Sequence, residues 1–340
     1  MSTPPVVLGD VLSSPPADGV SALRFSRDSD LLLAASWDKT VRLYDAASFT
    51  ARGTIHLAAP VLGVCAQDDA NAYAGSLDGQ VSRLSLPGLH ASPLGSHGAA
   101  VRCVEFSASR GLVLSGSWDA SVRAWDPRAP PHQACTHVVS LPGKVYTMST
   151  SRDTLVIGTS DRHILVYDLR KLVPGQQSPS PDQTRESSLK FQTRAIAAFP
   201  DGRGYAVGSV EGRVAMEYFD MSPAAQASKY AFKCHRSNED GRDVAFPVHS
   251  IVFHPGFGTF ATGGGDGVIN LWDGENKKRL FQISKYPNTI AAMAFSRDGS
   301  MLAVASSYTY ERGTTNAPGR DEIFVRRMQE VEVRPRQRKA

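Results

Sequence analysis

Short apolar runs recur along the chain between clusters of Gly, Asp, Ser and Asn: Val20 to Phe25, Val61 to Ala66, Val101 to Phe106, Arg194 to Phe199 and Ile251 to His254. Brief alternating runs bounded by turn formers predict β-strands, and no segment sustains helical periodicity. A second frame follows these runs. Ser36-Trp37-Asp38-Lys39-Thr40-Val41-Arg42-Leu43-Tyr44-Asp45 returns as Ser117-Trp118-Asp119-Ala120-Ser121-Val122-Arg123-Ala124-Trp125-Asp126. It returns again in Ser160-Asp161 to Tyr167-Asp168 and in Gly265-Asp266-Gly267 to Trp272-Asp273. Leu77-Asp78-Gly79 to Leu84-Ser85 and Val210-Glu211-Gly212 to Phe219-Asp220 are degenerate copies. The turn acids fall at 38, 78, 119, 161, 211 and 266. The first intervals match the roughly 40–45 residues of a four-stranded WD blade, and the last two carry insertions. A seventh copy starts at Ile290, runs through Leu302 to Ser307, loses its acidic turn and finishes at Ile323-Phe324-Val325.

The chain therefore reads as all-β: a single seven-bladed WD-repeat β-propeller over residues 1–332, then a basic tail, 333–340. A blade needs its neighbours to bury its faces, so the whole length belongs to one ring. The apolar segment Pro5-Val6-Val7-Leu8 is expected to close that ring, pairing in the last blade with the strand near Phe324 and removing the open edge. Two stretches depart from the repeat. Val173 to Arg185 is Pro/Ser/Gln-rich and reads as a mobile loop between blades four and five; Ser237 to Asp243 reads as a solvated charged loop.

Composition narrows the class. A net charge of +4 over 340 residues is slight, so neither DNA nor RNA is an expected partner. The four cysteines lie far apart without a CxxC pair, which argues against a zinc site and fits free thiols in a reducing compartment. There is no signal-peptide pattern at the N-terminus and no apolar run long enough for a membrane span. The expectation is a monomeric nuclear or cytosolic protein with no cofactor and no metal.

Candidate chemistry lies in three places. His97, Ser115 or Ser117, Asp119 and Trp125 have the parts of a hydrolase triad, but they also suit a relay that gives a buried indole N–H its acceptor. Because the same residue types punctuate other blades, the structural reading is preferred and no enzyme is expected. Trp37 and Trp118 sit at turns, where ordinary repeats carry small or polar residues; each either anchors a peptide or covers a neighbouring blade. The third place is a basic stretch of Lys190, Arg194, Arg213, Lys229, Lys233 and Arg236. If blade five brings Arg213 and Lys233 together they suit a phosphate; otherwise each is neutralised by an acid such as Glu211 or Glu217.

At these residues the sequence resembles the WD-repeat adaptor of the spindle assembly checkpoint, the non-kinase propeller of the budding-uninhibited-by-benzimidazole group. The most specific pieces are Gly116-Ser117-Trp118-Asp119, Trp125-Asp126-Pro127-Arg128, Lys144-Val145-Tyr146-Thr147, Arg185 to Arg194, Glu211-Gly212-Arg213-Val214-Ala215, Tyr230 to Arg236 and Ala305-Ser306-Ser307-Tyr308. The resemblance implies an adaptor at the nucleus, and at kinetochores in mitosis, that recruits checkpoint kinases. It implies that Trp37 and Trp118 pack against the GLEBS segment of those kinases, with Arg194 pairing to its glutamates. It also implies that Arg213 and Lys233 hold the phosphothreonine of MELT repeats in the kinetochore scaffold. The mRNA-export propeller of nuclear pores, which also takes GLEBS segments, is the alternative; Lys144 to Thr147, Asp126-Pro127-Arg128 and Ser307 to Tyr310 favour the checkpoint member.

Overall fold

A computed structural model describes residues 7–173, 175–311, 313 and 319–336. These form seven four-stranded antiparallel sheets and one additional two-stranded hairpin. Blades one to six open on the inner strands Val20–Phe25, Val61–Ala66, Val101–Ser107, Val145–Ser151, Thr193–Ala198 and Val248–Phe253. The seventh contains Ile290–Phe295, Met301–Ser306 and Glu322–Arg327, completed by Asp10–Val11 from the other end of the chain. The seven-bladed propeller read from the repeats is therefore the fold. No helix among the described residues is long and apolar enough to cross a membrane.

Hydrophobic packing explains why the blades form a ring. Seven clusters of buried side chains lie between the seven neighbouring blade pairs. The second strand of blade one shows the principle: Leu32 and Ala34 pack toward blade seven, Leu33 and Ala35 toward blade two. A strand buried on both faces reads as a continuous apolar run, as in Leu31–Ser36.

Several boundaries differ from expectation. The ring-closing strand is Asp10–Val11, opposite Val325 and Phe324; Val7 and Leu8, the described part of the expected Pro5 to Leu8 segment, do not pair there. The carbonyls of Val7 and Leu8 are taken by side chains instead, from Arg326 Nε at 2.8 Å and the Tyr286 hydroxyl at 2.7 Å. Pairing begins after Gly9, whose φ of +116° brings it so near Val325 that a Cβ would stand 2.7 Å from that carbonyl oxygen. Leu12, 1% exposed, is the apolar anchor of this closure. Pro5 and Val6 lie outside the described residues.

The Pro/Ser-rich stretch from Val173 belongs to blade four itself, linking its third strand to its fourth, Gln183–Glu186. Asp182 fixes its end, accepting from the Asp168 N–H at 2.7 Å and pairing with Lys171. The supposed charged loop is the hairpin, Arg236–Glu239 against Arg242–Ala245. Val333, read from the sequence as the first residue of the tail, is 2% exposed against blades six and seven.

Candidate functional site

One local irregularity positions the site. In every blade, pairing of the first two strands shifts register around the second residue of the inner strand: Ser21, Leu62, Arg102, Tyr146, Arg194, His249 and Ala291. A bulge re-aims a side chain out of the regular ladder. All of these except Tyr146 line a depression of about 430 Å³ at the mouth of the central channel. Deeper in, Arg24 of blade one bridges Glu105 of blade three at 3.1 Å and narrows the channel.

Trp37 and Trp118, from the turns of blades one and three, line the same depression, as do Tyr308 and Tyr310 of blade seven. Trp37 is 42% exposed. The Trp118 indole N–H is shielded from solvent and has no acceptor among the described residues. Three residues drawn from separate blades by sequence reasoning, Trp37, Trp118 and Arg194, thus meet in one concavity. Arg102 and His249 of the same lining, and Glu311 bonded to His249, were missed; Arg102 and His249 are marked only by holding the bulge position, and nothing in the sequence marks Glu311.

The electrostatics centre on Arg194. Its Nε donates to His249 Nδ1 at 3.0 Å, and His249 Nε2 bonds Glu311. Crowding by the channel walls, which strips water from the guanidinium although the side chain still reaches solvent, together with the charge of Arg102 pushes Arg194 below its ordinary value; it nonetheless stays protonated. Burial also lowers His249, against the opposing pull of Glu311. Burial would raise the Glu311 carboxyl, but hydrogen bonds from His249 and Thr309 outweigh it and hold it at about 2.

A second cationic site lies at the outer side of blade five. Arg213 and Lys233 are direct cross-strand partners. Residues opposite one another in an antiparallel pair share a face, with Cβ atoms about 4.5–5.5 Å apart. The turn before Arg213 depends on Gly212, at φ +66°, where a Cβ would stand 2.3 Å from the His235 carbonyl oxygen. Of the basic stretch, Lys229 is paired with Glu217 at 3.0 Å and Arg236 with Asp243 at 2.6 Å. Arg213 is 3.6 Å from Glu211, and Lys233 is exposed with no acidic partner among the described residues.

The triad-like residues are spent inside blade three. Trp125 Nε1 donates to Ser115 Oγ at 2.7 Å, Ser115 bonds His97 Nε2 at 2.7 Å, and His97 Nδ1 meets Asp119 at 3.0 Å. Ser115 is the relay member; Ser117 instead donates to the Ala99 carbonyl. Ser115 is 0% exposed, so its hydroxyl has no path to a substrate. Sequence reasoning missed a second relay, Trp272–Thr262–His235–Asp266. There threonine stands for serine, and the hairpin insertion stretches the spacing from histidine to aspartate. Among the described residues no group of three His, Cys, Asp or Glu side chains is placed to hold a metal ion.

Comparison with known proteins agrees with this architecture. A family model described as the nucleolar protein 10-like N-terminal domain matches residues 17–195, and a WD domain, G-beta repeat model matches 230–273. The chain is 51% identical to mitotic checkpoint protein BUB3.1 of Arabidopsis thaliana, over 99% of this chain and 97% of that protein. It is 42% identical to mitotic checkpoint protein bub3 of Dictyostelium discoideum, over 96% of each. Identity to a poly(A)+ RNA export protein of Schizosaccharomyces pombe is 34%, over 96% of this chain and 93% of that protein.

Proposed function

The chain belongs to the BUB3 family of mitotic checkpoint WD-repeat propellers, and on that premise we propose that it is a non-enzymatic checkpoint adaptor with two peptide seats. The depression at the channel mouth takes the GLEBS segment of checkpoint kinases, with Trp37 and Trp118 as apolar anchors and Arg194 receiving its glutamates. Arg213 and Lys233 take the phosphothreonine of MELT repeats in the kinetochore scaffold, so that bound kinases reach kinetochores. The protein works in the nucleus and, in mitosis, at the kinetochore.

The observation that carries this reading is the convergence of Trp37, Trp118 and Arg194 on one concavity. Aromatic and Arg anchors are what peptide interfaces enrich, and a rigid ring lowers the ordering cost of an extended ligand. Phosphorylation supplies the switch: it adds about −1.5 to −2 charges that an Arg–Lys pair can hold.

Calorimetry tests it. A phosphothreonine MELT peptide is expected to bind better than its unphosphorylated form, better still with a GLEBS segment present, and to lose most of that preference in Arg213→Ala. Equal affinity for the two peptides refutes the reading.

A second reading, an mRNA-export propeller, rests on the 34% identity to export-named relatives. GLEBS binding serves both readings, so only the phosphopeptide and RNA arms separate them. RNA retention on filters with a steep salt dependence would favour export.

A further inference from the structure

We infer that His249 is a positioning residue for Arg194, holding the guanidinium flat so that its two terminal nitrogens meet a carboxylate of the incoming acidic segment; this rests on the reading of the channel mouth as a GLEBS seat. The chemistry leaves one arrangement. A guanidinium only donates, so the 3.0 Å bond from Arg194 Nε makes His249 Nδ1 the acceptor. The imidazole proton therefore sits on Nε2 and is donated to Glu311. Glu311, reaching over from blade seven, thus selects the tautomer of a blade-six histidine that orients a blade-five arginine. The hydroxyl of Thr309 also donates to Glu311.

The His249 side chain is 3% exposed, so it is fixed by packing and offers little surface to a ligand itself. Arg194 is exposed, and among the described residues no acid pairs with it. Occupying Nε internally leaves the outer fork free, and a pre-oriented fork is what bidentate carboxylate recognition needs. Without His249 the guanidinium swings on a flexible stem, and the ligand has to order it. Immobilising one long side chain on binding weakens association about three- to ten-fold.

The experiment compares His249→Leu with His249→Asn in the full chain, by calorimetry with a synthetic GLEBS-type segment and its glutamate-to-glutamine counterpart. Leucine removes the acceptor, whereas the asparagine Oδ1 can take the Arg194 Nε–H in place of Nδ1. His249→Leu is expected to bind the glutamate segment about three- to ten-fold more weakly, as one freed side chain implies, and the glutamine segment as wild type does. His249→Asn stays close to wild type with both, and thermal melts verify that each variant is folded. Equal weakening toward both segments, or no rescue by asparagine, overturns the assignment, because His249 would then act only through packing. No effect of His249→Leu where Arg194→Ala still weakens binding also overturns it, and leaves the seat intact. If Arg194→Ala itself does not discriminate the two segments, the reading of the seat fails instead.

Discussion

The relay in blade three makes a stability prediction that can be worked from its hydrogen bonds. Ser115→Ala removes one oxygen and strands two groups: the Trp125 N–H that donates to it and the His97 Nε2 that bonds it, each at 2.7 Å. Trp125 is 2% exposed and the His97 side chain 0%, so water does not replace the lost partner. A buried polar group left unsatisfied costs about 1–3 kcal/mol, so two of them put Ser115→Ala at roughly 2–6 kcal/mol. Thr262→Val is the matching change in blade six, nearly equal in shape. Trp272 there is only half-buried, so its indole can regain water and about 1–2 kcal/mol is expected for the remaining buried imbalance. The assay is urea unfolding followed by tryptophan fluorescence. Blades four and five separate the two relays, so the double variant should show the sum of the single effects within about 0.5 kcal/mol. A Ser115→Ala midpoint indistinguishable from wild type would refute the reasoning, since it would mean that the relay contributes nothing to blade three. Strong non-additivity would refute the independence of the two blades.

Two further predictions concern the closure and the histidines. Glu332 accepts from both terminal nitrogens of Arg326 at 2.7 Å, and both residues are buried, so Glu332→Ala strands a buried cation and should cost about 3–5 kcal/mol by the same urea assay; adding Arg326→Met should recover much of it. Burial holds His97, His249 and His254 below the ordinary imidazole value of 6.5, so below that pH the unfolded chain binds more protons and stability falls with pH. His254 Nδ1 accepts from the backbone N–H groups of Gly256 and Phe257; His254→Asn preserves an acceptor that does not titrate, and the decline of the urea midpoint from pH 7.5 to 5.5 should be shallower in that variant.

The blade repeat was legible because its marks are backbone requirements. In four of the turns the aspartate caps the N–H two residues on, as Asp38 does for Thr40, Asp78 for Gln80, Asp119 for Ser121 and Asp266 for Val268, so the acid recurs with the turn. Ring closure was misplaced because apolar pattern was the only guide. Pro5 to Leu8 has the apolar pattern of a strand, whereas the closing strand Asp10–Val11 is short and exposed, and its anchor, Leu12, lies one residue beyond. The hairpin at Arg236 to Ala245 carries almost no apolar alternation and so gave no strand signal. At the site, the tryptophans stood out because bulk at a tight turn is unusual. Arg194 was singled out only through the family resemblance and its basic neighbourhood. His249 and Glu311 were invisible for a physical reason: one is defined by a bulge register and the other by a contact between residues 62 positions apart.

The two proposed seats share blade five, and this limits how they can influence one another. Arg194 lies on its innermost strand, Arg213 on the third and Lys233 on the outermost. Strands spaced about 4.7–4.9 Å apart place the phosphate site roughly 10–15 Å from Arg194. At physiological salt the screening length is about 8 Å, so charge brought by an acidic segment at the mouth is largely screened at the outer pair. The intervening strand, Gly204–Ser209, is buried along its whole length, and close-packed interiors do not deform gradually. Neither field nor backbone movement therefore links the seats efficiently. Reinforcement between the two ligands, where calorimetry finds it, has to come from contact between the ligands themselves across the rim. Such reinforcement should vanish when the kinase segment is truncated on its blade-five side, even with Arg194 and both tryptophans still engaged.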